Sequence, residues 1–337
     1  MFAALRDPGW LAGHLDSMPE ALVLHAREKL ATSLMKGHFK LLTALGSHAA
    51  AKGWGTEVVA FTSEGQDTAI ACPRHLHIFM DDRPVYAPNA FHCVPSYLHG
   101  YWYFDEIGSR NNAQTRLARF DPRPMQTEFA QKFHAGLVAR FVDANRSKFA
   151  QAPRGEALVP GCLAFFAQDF KPPRHHRHYL SVPQMIEAAI AVRRGRVLYI
   201  KPHPNNTLDE IEHLARYHDP AAGVVVTQAS IHDLLASCAC ALTVTSAVGF
   251  EAFLHKKPVV LGGQTDFWQN AVTVTDVARM PEALDLAMGR HWPYEKFLVW
   301  FLRQQCHEDT PAALPGVLAK IARKGFGWAG SGMFAPD

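Results

Sequence analysis

Lys201-Pro202-His203-Pro204 sets an ammonium and an imidazole between backbone positions locked by two proline rings. The tetrapeptide follows the apolar run Val197–Ile200, so it reads as a turn just past a strand end. An imidazole presented this way has little conformational freedom. With Lys201 adding positive charge, the pair suits holding a phosphate and giving it a proton as it leaves. The bland alternative is a rigid turn with an exposed histidine. Further on, Thr245-Ser246-Ala247-Val248-Gly249 places two hydroxyls and backbone N–H groups where a helix begins. That is a phosphate cradle of the helix-start kind, without the P-loop lysine, because no G-x-x-x-x-G-K-[ST] occurs. Read alone, Ser246 is an ordinary N-cap; paired with the His-Pro turn, the anion reading is favoured. Glu251, in the first turns of that helix, suits accepting hydrogen bonds from a ribose or sugar, or is a surface carboxylate favoured by the helix dipole.

These residues must be positioned by a sheet. From residue 157 onward strand and helix patterns alternate: strands over 157–166, 197–200, 224–227, 241–245 and 259–261, helices over 182–192, 208–217, 232–238 and 249–255. Alternation with short connections implies a parallel, doubly wound domain with ligands at the carboxyl ends of its strands. The first half has the same character in shorter pieces, with strands expected near 22–25, 57–61 and 76–80 and a helix over 36–52. Residues 127–150 read as one helix, and Gln151-Ala152-Pro153-Arg154-Gly155 as a linker. The expected class is α/β, GT-B-like, with two Rossmann-like domains whose parallel sheets face a cleft. The expected division is 1–155 as an acceptor-side domain and 156–310 as a nucleotide-sugar domain, with a helical segment 311–337 packing back on the first.

Length and composition bound the rest. A chain of 337 residues with 48% hydrophobic and 19% charged residues is globular and long enough for two cores. A formal net charge of +3 with scattered basic residues argues against a nucleic-acid partner. There is no C-x-x-C among the six cysteines, which read as buried free thiols. The first residues lack the apolar core of a signal peptide, and no run of about eighteen apolar residues occurs. The expected location is the cytoplasm, with peripheral association at a membrane left open.

Three further groups bear on chemistry. Asp169, at the end of the 157–166 strand pattern beside Gln168, is the best carboxylate on that edge as a nucleophile or base. Residues 86–126 are rich in aromatics, with Tyr97, Tyr101, Trp102, Tyr103 and Phe104 next to Asp105 and Glu106. They read either as a sugar-binding loop or as an aromatic plug in a core. His175, His176 and His178 lack the spacing and companions of a metal site, so no metal is expected and a basic, solvated loop is.

The Lys-Pro-His-Pro turn, Leu234-Leu235-Ala236-Ser237-Cys238, Thr243-Val244-Thr245-Ser246 with Gly249-Phe250-Glu251-Ala252, and Pro258-Val259 before Gly262 together resemble the bacterial capsule polysaccharide biosynthesis family. The resemblance covers roughly 160–265. It implies a retaining glycosyltransferase using CMP-activated 3-deoxy-D-manno-oct-2-ulosonic acid (Kdo). It is shared more distantly with bacterial CMP-sialic acid sialyltransferases and with polymerases that use CDP-polyols. Carried over residue by residue, it makes His203 a ligand to the donor phosphate and Thr245 and Ser246 its hydroxyl partners, with Lys201, Gln168, Gly249 and Glu251 around the donor. The chain departs from the family pattern after Gln168, where Asp169 follows at once and Lys171-Pro172-Pro173 stands in place of a later aspartate. Asp105-Glu106-Ile107-Gly108 is a loose counterpart of an acidic-acidic-glycine motif, which makes Asp105 and Glu106 alternative bases. The expected partners are a CMP-sugar as donor substrate, with no separate cofactor, a glycan or glycolipid acceptor, and peripheral contact with the inner membrane or capsule assembly proteins. The alternatives are a sialyltransferase, a CDP-polyol phosphotransferase, or a non-catalytic glycan-binding or assembly protein that keeps the nucleotide fold.

Overall fold

The computed structural model describes residues 2, 5–61, 70, 72–81, 83–168, 170–171 and 177–329. Asp169, His175 and His176 lie outside the described residues. The chain divides into two compact units: Met1–Ser96 with Gly100–Thr115 and Leu302–Asp337, and Tyr97–His99 with Arg116–Phe301.

The first unit has a five-stranded sheet of β1 (Leu5–Arg6), β2 (Ala21–Ala26), β3 (Gly55–Ala60), β4 (Leu76–Phe79) and β5 (Ala90–His92), in the order β1-β3-β2-β4-β5. Every neighbouring pair is parallel. Its central strand, β2, and the neighbouring β4 are buried along their length, as apolar strands covered on both faces must be. Leu41, Leu42, Leu45 and Ala49 of the helix Lys40–Ala51 cover one face together with Val317 and Ile321 of the helix Leu314–Arg323. Leu11 and Leu15 pack on Val23 and Val59 from the other. The last helix is also held by its lysines: Lys320 donates to the Phe104 carbonyl at 2.7 Å and Lys324 to that of Ala90 at 2.6 Å. A sixth strand, β6 (Tyr101–Tyr103), pairs antiparallel with Cys306–Glu308.

The second unit has six strands: β7 (Cys162–Phe166), β8 (Leu198–Lys201), β9 (Val224–Val226), β10 (Cys238–Thr243), β11 (Val259–Leu261) and β12 (Val272–Thr273). All are parallel, in the order β12-β11-β10-β7-β8-β9. This is the doubly wound dinucleotide-fold order, and it reverses between β7 and β10. The helix Val182–Val192 starts from a capping box in which Ser181 and Gln184 satisfy each other's backbone, and it buries Val182, Met185, Ile186 and Ala189 on the sheet. The opposite face carries an aromatic cluster of Phe250, Phe253, Phe267, Phe297 and Phe301.

Two units, each with a parallel sheet, bear out the expected α/β class, but the division between them is not at 155/156 or 310/311. Residues 116–155 belong with the second unit. His134 of the helix Thr127–Leu137 reaches the Leu254 carbonyl at 3.1 Å. The linker composition at 151–155 hides fixed contacts, since Arg154 pairs with Asp233 at 3.0 Å and the Gly155 N–H donates to the same carboxylate at 2.8 Å. Residues from 302 onward belong with the first unit because Cys306–Glu308 completes a ladder there. The expected helix over 127–150 is shorter, running to Leu137 and continuing through 143 as a wider π-type turn.

The aromatics of 97–104 are core residues. Tyr103 and Phe104 are fully buried in the first unit. Tyr97 counts with the second unit, where its ring stacks on Phe250 at 5.0 Å and its hydroxyl donates to Asp266 at 2.7 Å.

Candidate functional site

Three adjacent strands of the second sheet, β8, β7 and β10, end side by side, and Gln168, His203 and Thr245 stand just past those ends. The centre is Gln168. Its side-chain N–H donates to the Thr245 hydroxyl at 2.7 Å and its side-chain oxygen accepts the Thr245 backbone N–H at 2.9 Å. One amide therefore fixes both the backbone and the rotamer of Thr245 across the point where strand order reverses. Because the Thr245 oxygen accepts from Gln168, its own O–H is directed elsewhere.

The backbone of Gln168 reaches the other way. Its carbonyl accepts from the Asn206 side chain at 3.2 Å, and Asn206 Oδ1 in turn accepts the His203 backbone N–H at 2.6 Å. Asn206 is held by Glu210 at 2.9 Å, the same glutamate that closes the capping box with Thr207. Burial raises the Glu210 carboxyl, but hydrogen bonds from Phe170, Asn206 and Thr207 outweigh it and hold the group below its ordinary value. The His203 ring meets Phe149 edge to face at 5.0 Å, and its Nδ1 accepts the Asn205 N–H at 3.1 Å. An Nδ1 that accepts leaves the proton of the neutral imidazole on Nε2. His203 is thus oriented as an Nε2 donor. His203 and Thr245 stand two strand spacings apart, roughly 10 Å, with Gln168 between them.

Ser246 is nearly buried, and its hydroxyl oxygen accepts the Val248 N–H at 3.3 Å. The amides of the helix start are largely committed. Ser246 N–H donates to the Thr243 hydroxyl and Gly249 N–H to the Ser246 carbonyl. The loop therefore offers hydroxyls to an anion more than the row of amides expected of a cradle. Gly249 serves packing: a Cβ there would stand 3.3 Å from both the Phe267 ring and the Thr243 methyl.

The other expected residues are placed as follows. Lys201 is half-buried and donates to the Gln228 carbonyl at 3.2 Å; burial lowers its pKa and Glu156 partly opposes that. Glu251 is buried, accepts from the Ser147 hydroxyl at 2.9 Å, and burial pushes its carboxyl up to about 8. It is an interior acid rather than a surface carboxylate. Asp105 and Glu106 belong to the first unit. The Asp105 carboxylate accepts the N–H groups of Ile107, Gly108 and Gln114 at 2.9–3.1 Å, so it pins the loop that follows it. His178, expected on a solvated loop, pairs with Gly263 and lies 3.5 Å from the Thr245 hydroxyl through Nε2. Among the described residues no group of three or more His, Cys, Asp or Glu is arranged to hold a metal ion, and no helix is long and apolar enough to cross a membrane.

Sequence reasoning missed Asn206, Glu210 and the contact of His178. The Thr207-Leu208-Asp209-Glu210 capping box was a readable signal for Glu210. The reach of Asn206 to Gln168 was not readable, since it depends on the adjacency of β7 and β8.

Residues 178–280 match the family model described as capsule polysaccharide biosynthesis protein. The match lies within the second unit and covers under half of the chain. The matched stretch contains His203, Thr245, Ser246, Gly249 and Glu251, while Gln168 lies before it. Among solved structures, the chain is similar to the beta Kdo 2,7 transferase of Thermosulfurimonas dismutans KpsC, at 12% identity over 83% of this chain and 89% of that one, with a TM-score of 0.49. It is similar to the beta Kdo 2,4 transferase of the same protein at 15% identity over 84% and 90%, with a TM-score of 0.47. Anabaena Alr3699/HepE, solved with UDP-glucose, follows at 12% identity over 90% and 71%, with a TM-score of 0.38. A comparison with curated proteins finds no match.

Proposed function

We propose that the protein is a glycosyltransferase that moves an acidic sugar, Kdo, from a CMP-sugar to a capsule or surface-glycan acceptor, without a metal ion. The observation that carries the reading is the Gln168 clamp. It holds Thr245 from one side and, through Asn206, orients His203 from the other, at the reversal point of a doubly wound parallel sheet. The family match over 178–280 supports a capsule-related role, and the motifs of the second unit support a cytidine donor.

In this reading the donor phosphate lies over the carboxyl ends of β8, β7 and β10. Nε2–H of His203 and the hydroxyls of Thr245 and Ser246 donate to its oxygens. Charge builds on that phosphate as the glycosidic bond breaks, so donors fixed in advance stabilise the transition state more than the ground state. The Nε2–H of His203 is also placed to keep its hydrogen bond to the departing CMP, which leaves as the anion. Asp169 remains the proposed nucleophile or base on this edge, with Asp105 and Glu106 as alternatives. The three backbone N–H groups bound to Asp105 limit its access to a substrate hydroxyl.

The test is turnover of CMP-Kdo, CMP-sialic acid and CDP-glycerol, followed by CMP release with and without glycan acceptors in the presence of EDTA. CMP release from CMP-Kdo alone of the three is the expected result. Binding of CMP with no turnover of any donor would leave a glycan-binding or assembly role and sink the enzyme reading.

A further inference from the structure

The amino-terminal edge of the second sheet borders a cavity of about 770 Å³, within the size range of small-molecule sites. Pro258, the residue before β11, and the stretch from Arg290 to Lys296 line it. In an all-parallel sheet every strand starts at this edge and ends at the other. The cavity and the Gln168–Thr245–His203 assembly therefore lie at opposite ends of the strands, roughly 20 Å apart along the six residues of β10. A ligand in the cavity is not the one held by His203.

Its walls combine two chemistries. Trp292 is buried and fixed, with its indole N–H donating to the Ala287 carbonyl at 2.8 Å. The Arg290 guanidinium lies 4.5 Å over that ring. Tyr294 is buried behind this wall, and the half-buried rings of Pro122 and Pro293 give the cavity apolar faces. Glu295 is the one acidic residue in the lining, and it is occupied by Lys256 at 2.7 Å. Lys256 closes the turn after Ala252–His255 in the left-handed region, at φ 51°, where glycine is usual. By holding Glu295 there, it keeps that carboxylate from neutralising the other cations. Arg290 and Lys296 have no carboxylate partner among the described residues.

The Arg290 and Lys296 charges beside the apolar faces of Pro122 and Pro293 match a ligand that carries both carboxylates and flat C–H faces. Acidic saccharides have both; inorganic phosphate would use the cations alone. We infer that this cavity is a second, non-catalytic site for an acidic oligosaccharide, separate from the donor site. The inference does not depend on the identity of the donor.

The test titrates wild type and the double variant Arg290→Ala/Lys296→Ala with tetragalacturonate by calorimetry, with maltotetraose and inorganic phosphate as control arms. Tetragalacturonate is expected to bind wild type, to weaken as salt rises, and to lose at least about tenfold in affinity in the double variant. CMP affinity in that variant stays at the wild-type value, which shows that the fold is kept and that the two sites are separate. The inference is overturned if wild type binds no tetragalacturonate at millimolar concentration, if maltotetraose binds as well, if phosphate displaces the saccharide at equal concentration, or if the double variant binds undiminished. Should the double variant not fold, the single Arg290→Gln takes its place, and undiminished binding there overturns the inference equally. Failure of wild type to bind CMP while it still binds tetragalacturonate would count against the donor site alone.

Discussion

At the reversal of the first sheet, between β2 and β4, His25 Nε2 meets His77 Nδ1 at 3.0 Å in the buried interior, with Phe79 stacked on His25 at 4.4 Å. At the reversal of the second, between β7 and β10, the Gln168 amide grips Thr245 where the strands end. The same architectural position is used in two ways. In the first unit His92 accepts the Val85 N–H and Asp105 accepts three amides, while His77 Nε2 is buried without a hydrogen-bond partner. In the second unit the Gln168 amide and Asn206 are spent on orienting the Thr245 hydroxyl and the His203 backbone. A strand edge becomes a site when its hydrogen bonds orient donors instead of consuming them.

Exchanging damage between the two edges breaks or sharpens this contrast. Asp105→Ala strips three backbone amides of their acceptor and is expected to cost about 3–5 kcal/mol of stability, read as a lowered denaturation midpoint, with CMP affinity within about twofold of wild type. Gln168→Ala is expected to do the reverse, with CMP affinity falling at least tenfold and stability falling by about 1–2 kcal/mol. A large loss of CMP affinity in Asp105→Ala alone would erase the distinction.

Protonation separates the units further, by a smaller amount. Burial lowers His25 to about 3 and His77 well below its ordinary value. The native state thus prefers both neutral, and the stability tied to them is complete above about 6.5 and lost as pH falls toward 3. His255 in the second unit, also about 3, adds to the same acid limb. Glu251 runs the other way. Its carboxyl at about 8 keeps the proton that the unfolded chain gives up near 4.3, so stability present in acid is lost as pH rises through 8. Glu251→Gln keeps a partner for Ser147 and is expected to gain on the order of 1–3 kcal/mol at pH 8.5, with little change at pH 5. Thermal melts across pH 4–9 check this; an unchanged alkaline slope would mean that Glu251 is not the buried acid responsible.

Much of the second unit was legible in the sequence because buried parallel strands are unbroken apolar runs, as in Cys162–Phe166 and Val259–Leu261, and because its helices announce themselves with Ser181/Gln184 and Thr207/Glu210 capping boxes. The first unit was harder because β5 and β6 have three residues each, too few to show a period. The division at 155/156 was misread because the polar and glycine-rich composition of 151–155 looks like a linker, whereas Asp233 ties that segment down from far along the chain. The helix Met280–Gly289 went unread, with Pro281 opening it rather than breaking it. At the candidate site, residue types and strand ends pointed to His203, Thr245 and Ser246, and the family resemblance to Gln168. That Gln168 is the clamp, and Asp105 a loop pin, depends on which strands are neighbours and where side chains turn, which no local pattern carries.

The central claim is that Gln168, through Thr245 and Asn206, presents His203 and two hydroxyls to a nucleotide phosphate. Calorimetric titration of CMP into wild type and His203→Ala tests it most directly. The account predicts saturable binding by wild type and a loss of about 1.5–3 kcal/mol in the variant, the range of a hydrogen bond to a charged group. Equal affinity in the two proteins would contradict it.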